Sequence, residues 1–241
     1  MLFRSDVRVR KALLMAIDRW GGSQGLSRIS TLRSVGGVIR PGSPFATPEA
    51  ELVKLPGFSK DIKASREEAK KLLKEAGQEN LKFVLWNRNL AMPYTPAGIF
   101  LVDQWRQIGV EVEHKQSDTA PYLAHMNAGN HDVAIDFSNL FMDDSSLALA
   151  KYLSVGRAPE NRSRHKDSEL DKLYDDHLRQ TDPEKRKALI RAFEKRTFEQ
   201  AYQEPLLWWH RIVPSHKAVM GWKMSPSHNL GAQLEDVWLN A

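Results

Sequence analysis

Between residues 61 and 136 the sequence alternates three times between helical and strand-like patterns, and this alternation constrains the fold more than any other feature. Three segments have apolar residues at helical spacing, and each of them ends at a glycine: Gly77, Gly109 and Gly129. A short apolar segment typical of a strand follows each glycine, over residues 81–86, 110–115 and 132–136. Because the connections are short, the pattern predicts an α/β fold with a mainly parallel sheet flanked by helices.

Further elements are predicted on either side of this region. An apolar stripe predicts a first helix over residues 6–19, which we expect the pair Gly21-Gly22 to end. Residues 205–213 are mostly apolar and predict a buried strand. Two more helices are predicted, and each begins after an aspartate that can accept hydrogen bonds from the first turn: Asp167 and Asp182.

Residues 21–60 contain four prolines and several glycines, which disfavour long regular elements. We therefore expect an extended, ordered loop that lies over a surface. A loop of this length in a compact domain is more often functional than not. The last residues, 214–241, show no clear periodicity and are treated as a separate tail, so that one domain is predicted over residues 1–213.

Composition and charge exclude several classes of protein. The formal charge is +5, but the 35 basic residues are interleaved with 30 acidic ones, whereas nucleic-acid binders usually concentrate positive charge on one face. The absence of cysteine excludes disulfides and cysteine-based metal sites. No window is apolar enough for a membrane-spanning helix. The first residues include no apolar stretch, so no secretory signal is expected in this chain.

Several segments, in order along the chain, resemble the extracellular solute-binding proteins of the dipeptide, oligopeptide and nickel type, which deliver ligands to bacterial ABC importers. The similar segments begin with Val7-Arg8-Val9-Arg10-Lys11-Ala12-Leu13 followed by Ala16-Ile17-Asp18-Arg19. Four others contribute: Glu68 to Gly77, Gln104 to Val112, Asp132-Val133-Ala134, and Asn161 to Leu173. The closing Asp236-Val237-Trp238-Leu239 also fits.

This resemblance implies a lobe of the type II periplasmic-binding-protein fold and a function in the periplasm as the ligand-binding component of an importer for peptides or other small organic solutes. Its partners would be the solute and an ABC permease. Members of the family are about twice as long, so the chain is expected to correspond to their second lobe. In the family the tail returns to the first lobe, and we therefore expect self-association through the tail or through the cleft face.

Ligands of such proteins lie between the lobes, against loops at the carboxyl ends of strands, as they do in open α/β sheets generally. Two segments of this chain are candidates: one runs from Asn87 to Tyr94 and the other from Phe137 to Asp144. Arginine is suited to carboxylates and aromatic side chains to apolar ligands. The candidate ligand-binding residues are Asn87, Arg88, Tyr94, Asp136, Phe137, Ser138, Asn139 and Phe141. Each could instead be a solvated loop residue or part of the core.

In peptide-binding relatives an aspartate of the second segment pairs with the peptide's ammonium group. Here Ser138 and Phe141 align with the functional positions, while the acids lie at Asp136 and at Asp143-Asp144. This displacement favours an apolar or aromatic solute as an alternative to a peptide. Asp143-Asp144 is more typical of a helix cap than of a metal site or a catalytic pair.

No cofactor, metal site or catalytic motif is predicted. The histidines lack the spacing of a helical zinc pair, and the glycines at 21–25 lack the lysine of a phosphate-binding loop. Two alternatives to a transport binder stay open: a protein that has kept the fold for interaction or self-association alone, and an enzyme.

Overall fold

The computed structural model describes residues 3–138, 142–224 and 234–240. A short 3-10 helix over Phe3–Ser5 opens the described chain. The helices are α1 Val7–Met15, α2 Arg19–Leu26, α3 Glu49–Leu52, α4 Ile62–Glu75, α5 Tyr94–Arg106, α6 Thr119–Ala128, α7 Ser145–Ala150, α8 Ser168–Arg179 and α9 Pro183–Gln200. The strands are β1 Leu32–Ser34, β2 Lys82–Arg88, β3 Glu111–Ser117, β4 Val133–Ala134, β5 Trp208–Trp209, β6 Val219–Met220 and β7 Trp238–Leu239.

The central sheet has three parallel strands in the order β3-β2-β4, so the predicted α/β fold with a parallel sheet is confirmed. The seven residues of β2 pair with the seven of β3, from Lys82 opposite Glu111 to Arg88 opposite Ser117. The third strand is shorter than predicted, because only Val133 and Ala134 pair with β2. This parallel arrangement places the carboxyl ends of all three strands at one edge of the sheet.

Two large apolar cores and a smaller one around Leu26, Leu32 and Ala97 support the sheet and the helices around it. The first core joins α1, α4 and α5 to β2, and Trp105 from α5 is fixed in it by a hydrogen bond of 2.9 Å from its ring nitrogen to the carbonyl oxygen of Leu13. The second core joins α7, α8 and α9 to residues 38–58, with Phe58 and Phe198 in edge-to-face contact at 4.8 Å between ring centroids. Residues predicted as a surface loop thus help to cover the second core.

The predicted end of the first helix is wrong. Helix α1 ends at Met15, and α2 begins after Asp18, whose carboxylate accepts a hydrogen bond of 2.8 Å from the backbone nitrogen of Gly21. Gly21 and Gly22 therefore lie inside a helix. Gly22 packs against the ring of Phe100 so closely that an added Cβ would lie 2.5 Å from it, which explains why glycine occurs here.

Residues 21–60 are irregular for the most part but contain the rest of α2, together with β1 and α3. The strand predicted over residues 205–213 is wrong in length, because only β5 forms there. It pairs antiparallel with the three residues of β1. In the tail, β6 and β7 pair antiparallel. No helix in the described part of the chain is long and apolar enough to cross a membrane.

Candidate functional site

The carboxyl edge of the central sheet brings the two predicted segments together. Arg88 is the last residue of β2, and Asp136 and Phe137 lie just after β4, with Ile135 between. Because β2 and β4 are neighbouring parallel strands, their ends meet although 48 residues separate Arg88 from Asp136. An Nη atom of Arg88 lies 3.2 Å from a carboxylate oxygen of Asp136.

Arg88 is a buried cation, with only 6% of its surface exposed. Its guanidinium carbon lies 4.3 Å from the ring centroid of Phe137, 5.0 Å from that of Tyr94 and 5.3 Å from that of Tyr122. Its Nη1 also donates to the hydroxyl oxygen of Tyr94 at 3.2 Å. The three aromatic faces attract the cation, and the carboxylate of Asp136 compensates its charge.

Asp136 lies between two arginines. Besides Arg88, the Nε of Arg162 is 3.8 Å from its other carboxylate oxygen. The backbone nitrogen of Phe137 donates to Asp136 at 2.9 Å, which fixes the carboxylate against its own loop. Arg162 was not predicted. The only signal for it is the basic run Arg162-Ser163-Arg164-His165-Lys166 in an irregular segment, and sequence periodicity cannot place such a segment in space.

Asn87 and Tyr94 are buried behind this arrangement. The amide nitrogen of Asn87 donates to the carbonyl oxygen of Tyr94 at 2.7 Å, and its amide oxygen accepts from the backbone nitrogen of Arg88 at 2.8 Å. Asn87 thus uses its amide to connect β2 to the start of α5. Burial raises the pKa of Tyr94 above its ordinary value, so its hydroxyl stays protonated and can accept from Arg88.

Ser138 lies on the exposed side of the site. Its hydroxyl accepts a hydrogen bond of 2.8 Å from the ammonium group of Lys151, and Glu160 lies 3.9 Å from the same group. Burial lowers the pKa of Lys151. Asn139 and Phe141, which were also predicted to contact the ligand, lie outside the described residues.

A cavity of about 1260 Å³ opens at this edge of the sheet. It extends along β4 to His131 and Asp132, which precede that strand. At the carboxyl end its wall includes Arg88, Tyr94, Asp136, Phe137 and Ser138. Asn87 is not part of the wall. We refer to this part of the cavity, with Arg162, Lys151 and Glu160, as the Arg88 end. A cavity of this size can accommodate a small organic solute.

The neighbouring acids have structural partners. Asp144 begins α7 and accepts hydrogen bonds from the backbone nitrogens of Ser146 at 2.7 Å and Leu147 at 3.2 Å, as predicted for a cap. Burial opposes ionisation of Asp144, but these hydrogen bonds lower its pKa overall. Asp143 forms an ion pair with Arg40. Among the described residues, no group of three or more histidines and acids could hold a metal ion.

Comparisons with known proteins identify the family and the fold. The profile of the family described as "Bacterial extracellular solute-binding proteins, family 5 Middle" matches residues 3–159. Two curated relatives are similar in sequence. A di/tripeptide-binding protein 4 of Pseudomonas aeruginosa is 27% identical over 68% of this chain and 32% of its own length. A probable deoxycholate-binding periplasmic protein of Escherichia coli is 27% identical over 84% of this chain and 38% of its own length.

Among solved structures, a dipeptide-binding protein from Pseudoalteromonas sp. SM9913, in complex with Met-Leu, superposes with a TM-score of 0.79 and 22% sequence identity. The similarity covers 98% of this chain and 46% of that protein. At this identity the likeness shows the fold alone. The chain spans about a third of the length of the curated relatives and about half of that of the solved structure.

Proposed function

The chain belongs to family 5 of the bacterial extracellular solute-binding proteins, and from this premise we propose that it supplies solute-binding surface to a periplasmic component of an ABC importer. The family consists of binding proteins and not of enzymes. The partners of this chain would be a small organic solute and an ABC permease. One observation carries the proposal: the Arg88 end of the cavity joins fixed charges to exposed aromatic surface at the carboxyl edge of the sheet, where open α/β folds bind ligands.

The charges at the Arg88 end favour a solute that carries a carboxylate. Three cations, Arg88, Arg162 and Lys151, lie near two acids, Asp136 and Glu160, which leaves a formal excess of one positive charge. Arg88 is largely enclosed, whereas 27% of the Arg162 side chain is exposed, so Arg162 is the arginine that a solute can reach. A charge-assisted hydrogen bond from a guanidinium group to a carboxylate is about twice as strong as a neutral one.

The apolar part of the solute would lie against Phe137. One face of its ring packs on the guanidinium group of Arg88, yet 38% of the residue is exposed beside the cavity. Aromatic side chains with a few fixed polar groups are the usual lining of small-molecule sites. Short peptides and bile acids share this chemistry, since each combines a carboxylate with apolar surface. The names of the two curated relatives refer to these two classes of solute.

The residues of the site have different tasks in this proposal. Arg162, Phe137 and Ser138 contact the solute, and Arg88 and Asp136 hold the loop after β4 in place. Asn87 acts as a positioning residue, because its amide is used inside the protein. Contact of Asn139 and Phe141 with the solute stays a prediction.

Isothermal titration calorimetry with the dipeptide Met-Leu and with deoxycholate tests the proposal. We expect saturable binding of at least one of them by the wild-type chain. The substitution Arg162→Gln removes the accessible guanidinium group and should weaken that binding about tenfold, which corresponds to about 1.4 kcal/mol. Arg106→Gln is the matched control, because Arg106 lies at the end of α5, is 75% exposed in its side chain and, among the described residues, forms an ion pair with Asp103 alone.

Capping the carboxyl group of Met-Leu as an amide separates the role of the charge from that of the apolar surface. The capped dipeptide should bind the wild type about as weakly as the free dipeptide binds Arg162→Gln. Equal binding of free and capped dipeptide, or equal affinity of Arg162→Gln and Arg106→Gln, would contradict the proposed carboxylate contact. If neither solute binds the wild type, the proposal fails for both named classes.

Self-association through the tail or the cleft face, which was expected from the sequence, stays a prediction. Light scattering coupled to size-exclusion chromatography across a dilution series tests it. A monomer at every concentration would contradict it.

A further inference from the structure

A second group of cations lines the same cavity at the opposite end of β4. Arg4 and Arg10 come from the 3-10 helix and from α1, and Arg164 comes from the irregular segment before α8. We refer to these three residues, together with His131 just before β4, as the arginine end. Within the described ranges, no carboxylate lies within ion-pair distance of the three guanidinium groups.

The three arginines donate to backbone carbonyls instead. Arg10 donates from Nε to the carbonyl oxygen of Gln200 at 3.0 Å and from Nη1 to that of Arg4 at 2.9 Å. Arg164 donates to the carbonyl oxygen of Asn127 at 3.1 Å, and Arg4 donates to that of His131. These neutral acceptors fix the positions of the side chains without an ion pair, and the guanidinium carbon of Arg10 also lies 5.0 Å from the ring centroid of Tyr202. A guanidinium group has five N–H donors, so most of the donors stay available for a ligand.

The backbone leaves space for this arrangement at Gly129. A Cβ built on Gly129 would lie 2.5 Å from the guanidinium carbon of Arg164, and φ of Gly129 is 71°. Arg164 itself adopts a left-handed φ of 55°, which is uncommon for a residue other than glycine. Glycine at position 129 is therefore favoured by its own conformation, and a Cβ there would displace the flexible end of the Arg164 side chain.

His131 gives a second, independent indication. Its Nδ1 atom is buried and has no hydrogen-bond partner, which is costly unless a ligand or water supplies one. Burial lowers the pKa of His131, and the positive charges of Arg4, His125 and Arg164 lower it further, against the smaller opposite effect of Asp132. The electrostatic potential at this end of the cavity is thus positive.

We propose that the arginine end binds a small oxyanion, a phosphate or a carboxylate group, between Arg4, Arg10 and Arg164, with His131 beside it. This ligand is separate from the solute of the Arg88 end. His131 precedes β4 and Asp136 follows it, and the residues proposed to contact the solute, Phe137, Ser138 and Arg162, are not among those of the arginine end. The inference does not depend on the proposed function, because it concerns other residues and another ligand.

The titration of His131, followed by NMR on the whole chain through its ring C–H signal, tests this proposal. Inorganic phosphate and acetate are added separately, with sodium chloride at matched ionic strength as the control for screening. A bound anion should raise the pKa of His131 by about one pH unit in a saturable way, because it compensates the charges that disfavour the imidazolium form. The anion whose titration saturates at the lower concentration identifies the class of ligand.

The double variant Arg4→Gln/Arg164→Gln removes two of the three charges at the partly exposed wall of the cavity and should abolish the saturable effect. Arg106→Gln should behave as wild type. The proposal is overturned if chloride produces the same change as phosphate and acetate, or if the double variant responds as the wild type does. Binding of Met-Leu or deoxycholate should be unchanged in the double variant, which distinguishes failure at this end from failure of the proposed solute site.

Discussion

The two ends of the cavity hold arginines in opposite ways. At the Arg88 end a buried guanidinium group is enclosed by three aromatic rings, donates a hydrogen bond to the hydroxyl of Tyr94 and is neutralised by Asp136. At the arginine end three guanidinium groups touch backbone carbonyls and no carboxylate among the described residues. The difference lies in charge compensation, because Arg10 also lies over the ring of Tyr202, at 5.0 Å, but has no carboxylate partner in the described ranges. Enclosure and compensation make Arg88 part of the folded core, whereas the lack of a carboxylate partner leaves charge available for a ligand at the arginine end.

The largest difference should appear in stability. Arg88→Ala leaves Asp136 without its buried partner and removes three cation–π contacts, so we expect a loss of about 2–4 kcal/mol in the free energy of unfolding. Arg4→Ala should cost less than about 0.5 kcal/mol, as for most surface substitutions. Urea denaturation of both variants measures this difference. Similar losses in the two variants would remove the distinction between the ends.

The next largest difference between the two ends should be the dependence of ligand affinity on salt concentration. Anion binding at the arginine end depends on accessible charges, so phosphate affinity should fall about tenfold between low and high sodium chloride concentration. Solute affinity at the Arg88 end should fall less than about threefold, because apolar contact with Phe137 is not screened. Calorimetric titrations at two salt concentrations give both values. An equal salt dependence would indicate that both ligands use the same cations.

A smaller effect is expected for Tyr94→Phe. This substitution keeps the ring over Arg88 and removes only the hydroxyl that accepts from Nη1. It should lower the free energy of unfolding by about 1 kcal/mol, which is the usual contribution of one such hydrogen bond to stability. Thermal and urea unfolding measure it, with Tyr174→Phe on α8 as a comparison. No loss of stability would mean that the hydroxyl does not help to hold Arg88.

The smallest effect concerns the pH dependence of stability. The pKa of His131 is lower in the folded chain than in the unfolded chain, so the unfolded chain binds more protons as the pH falls. The contribution of His131 to stability is therefore present above about pH 6.5 and is lost as the pH falls through the folded pKa. His131→Gln should therefore lose less stability than wild type on acidification from pH 7 to 5, by less than about 1 kcal/mol. Parallel pH profiles would contradict the positive potential inferred at this end.

Much of the fold could be predicted from sequence patterns, and the exceptions have physical causes. The glycines at 77, 109 and 129 end or follow helices with positive φ, and Asp167 and Asp182 cap helices as expected. Gly21 and Gly22 were wrongly predicted to end a helix, because glycine also occurs where one helix packs closely on another. Here Gly22 of α2 packs on Phe100 of α5. Sequence spacing does not distinguish these two uses of glycine.

The candidate site was predictable only in part. Arg88 and Asp136 could be placed at strand ends, and parallel pairing then explains their contact. The burial of Arg88 among three rings could not be foreseen, because Tyr122 comes from a helix whose orientation depends on tertiary packing. Arg162 and Arg164 come from an irregular segment, which has no period from which a position in space can be derived.

The most direct test of the solute site is the position of a bound solute, mapped by the backbone amide signals of the isotope-labelled chain during titration with Met-Leu or with deoxycholate. We predict saturable changes in the signals of Phe137, Ser138 and Arg162 with at least one solute, and none at His131 or Arg164. Changes confined to residues around His131, or spread evenly over the surface, would contradict the assignment of the solute to the Arg88 end.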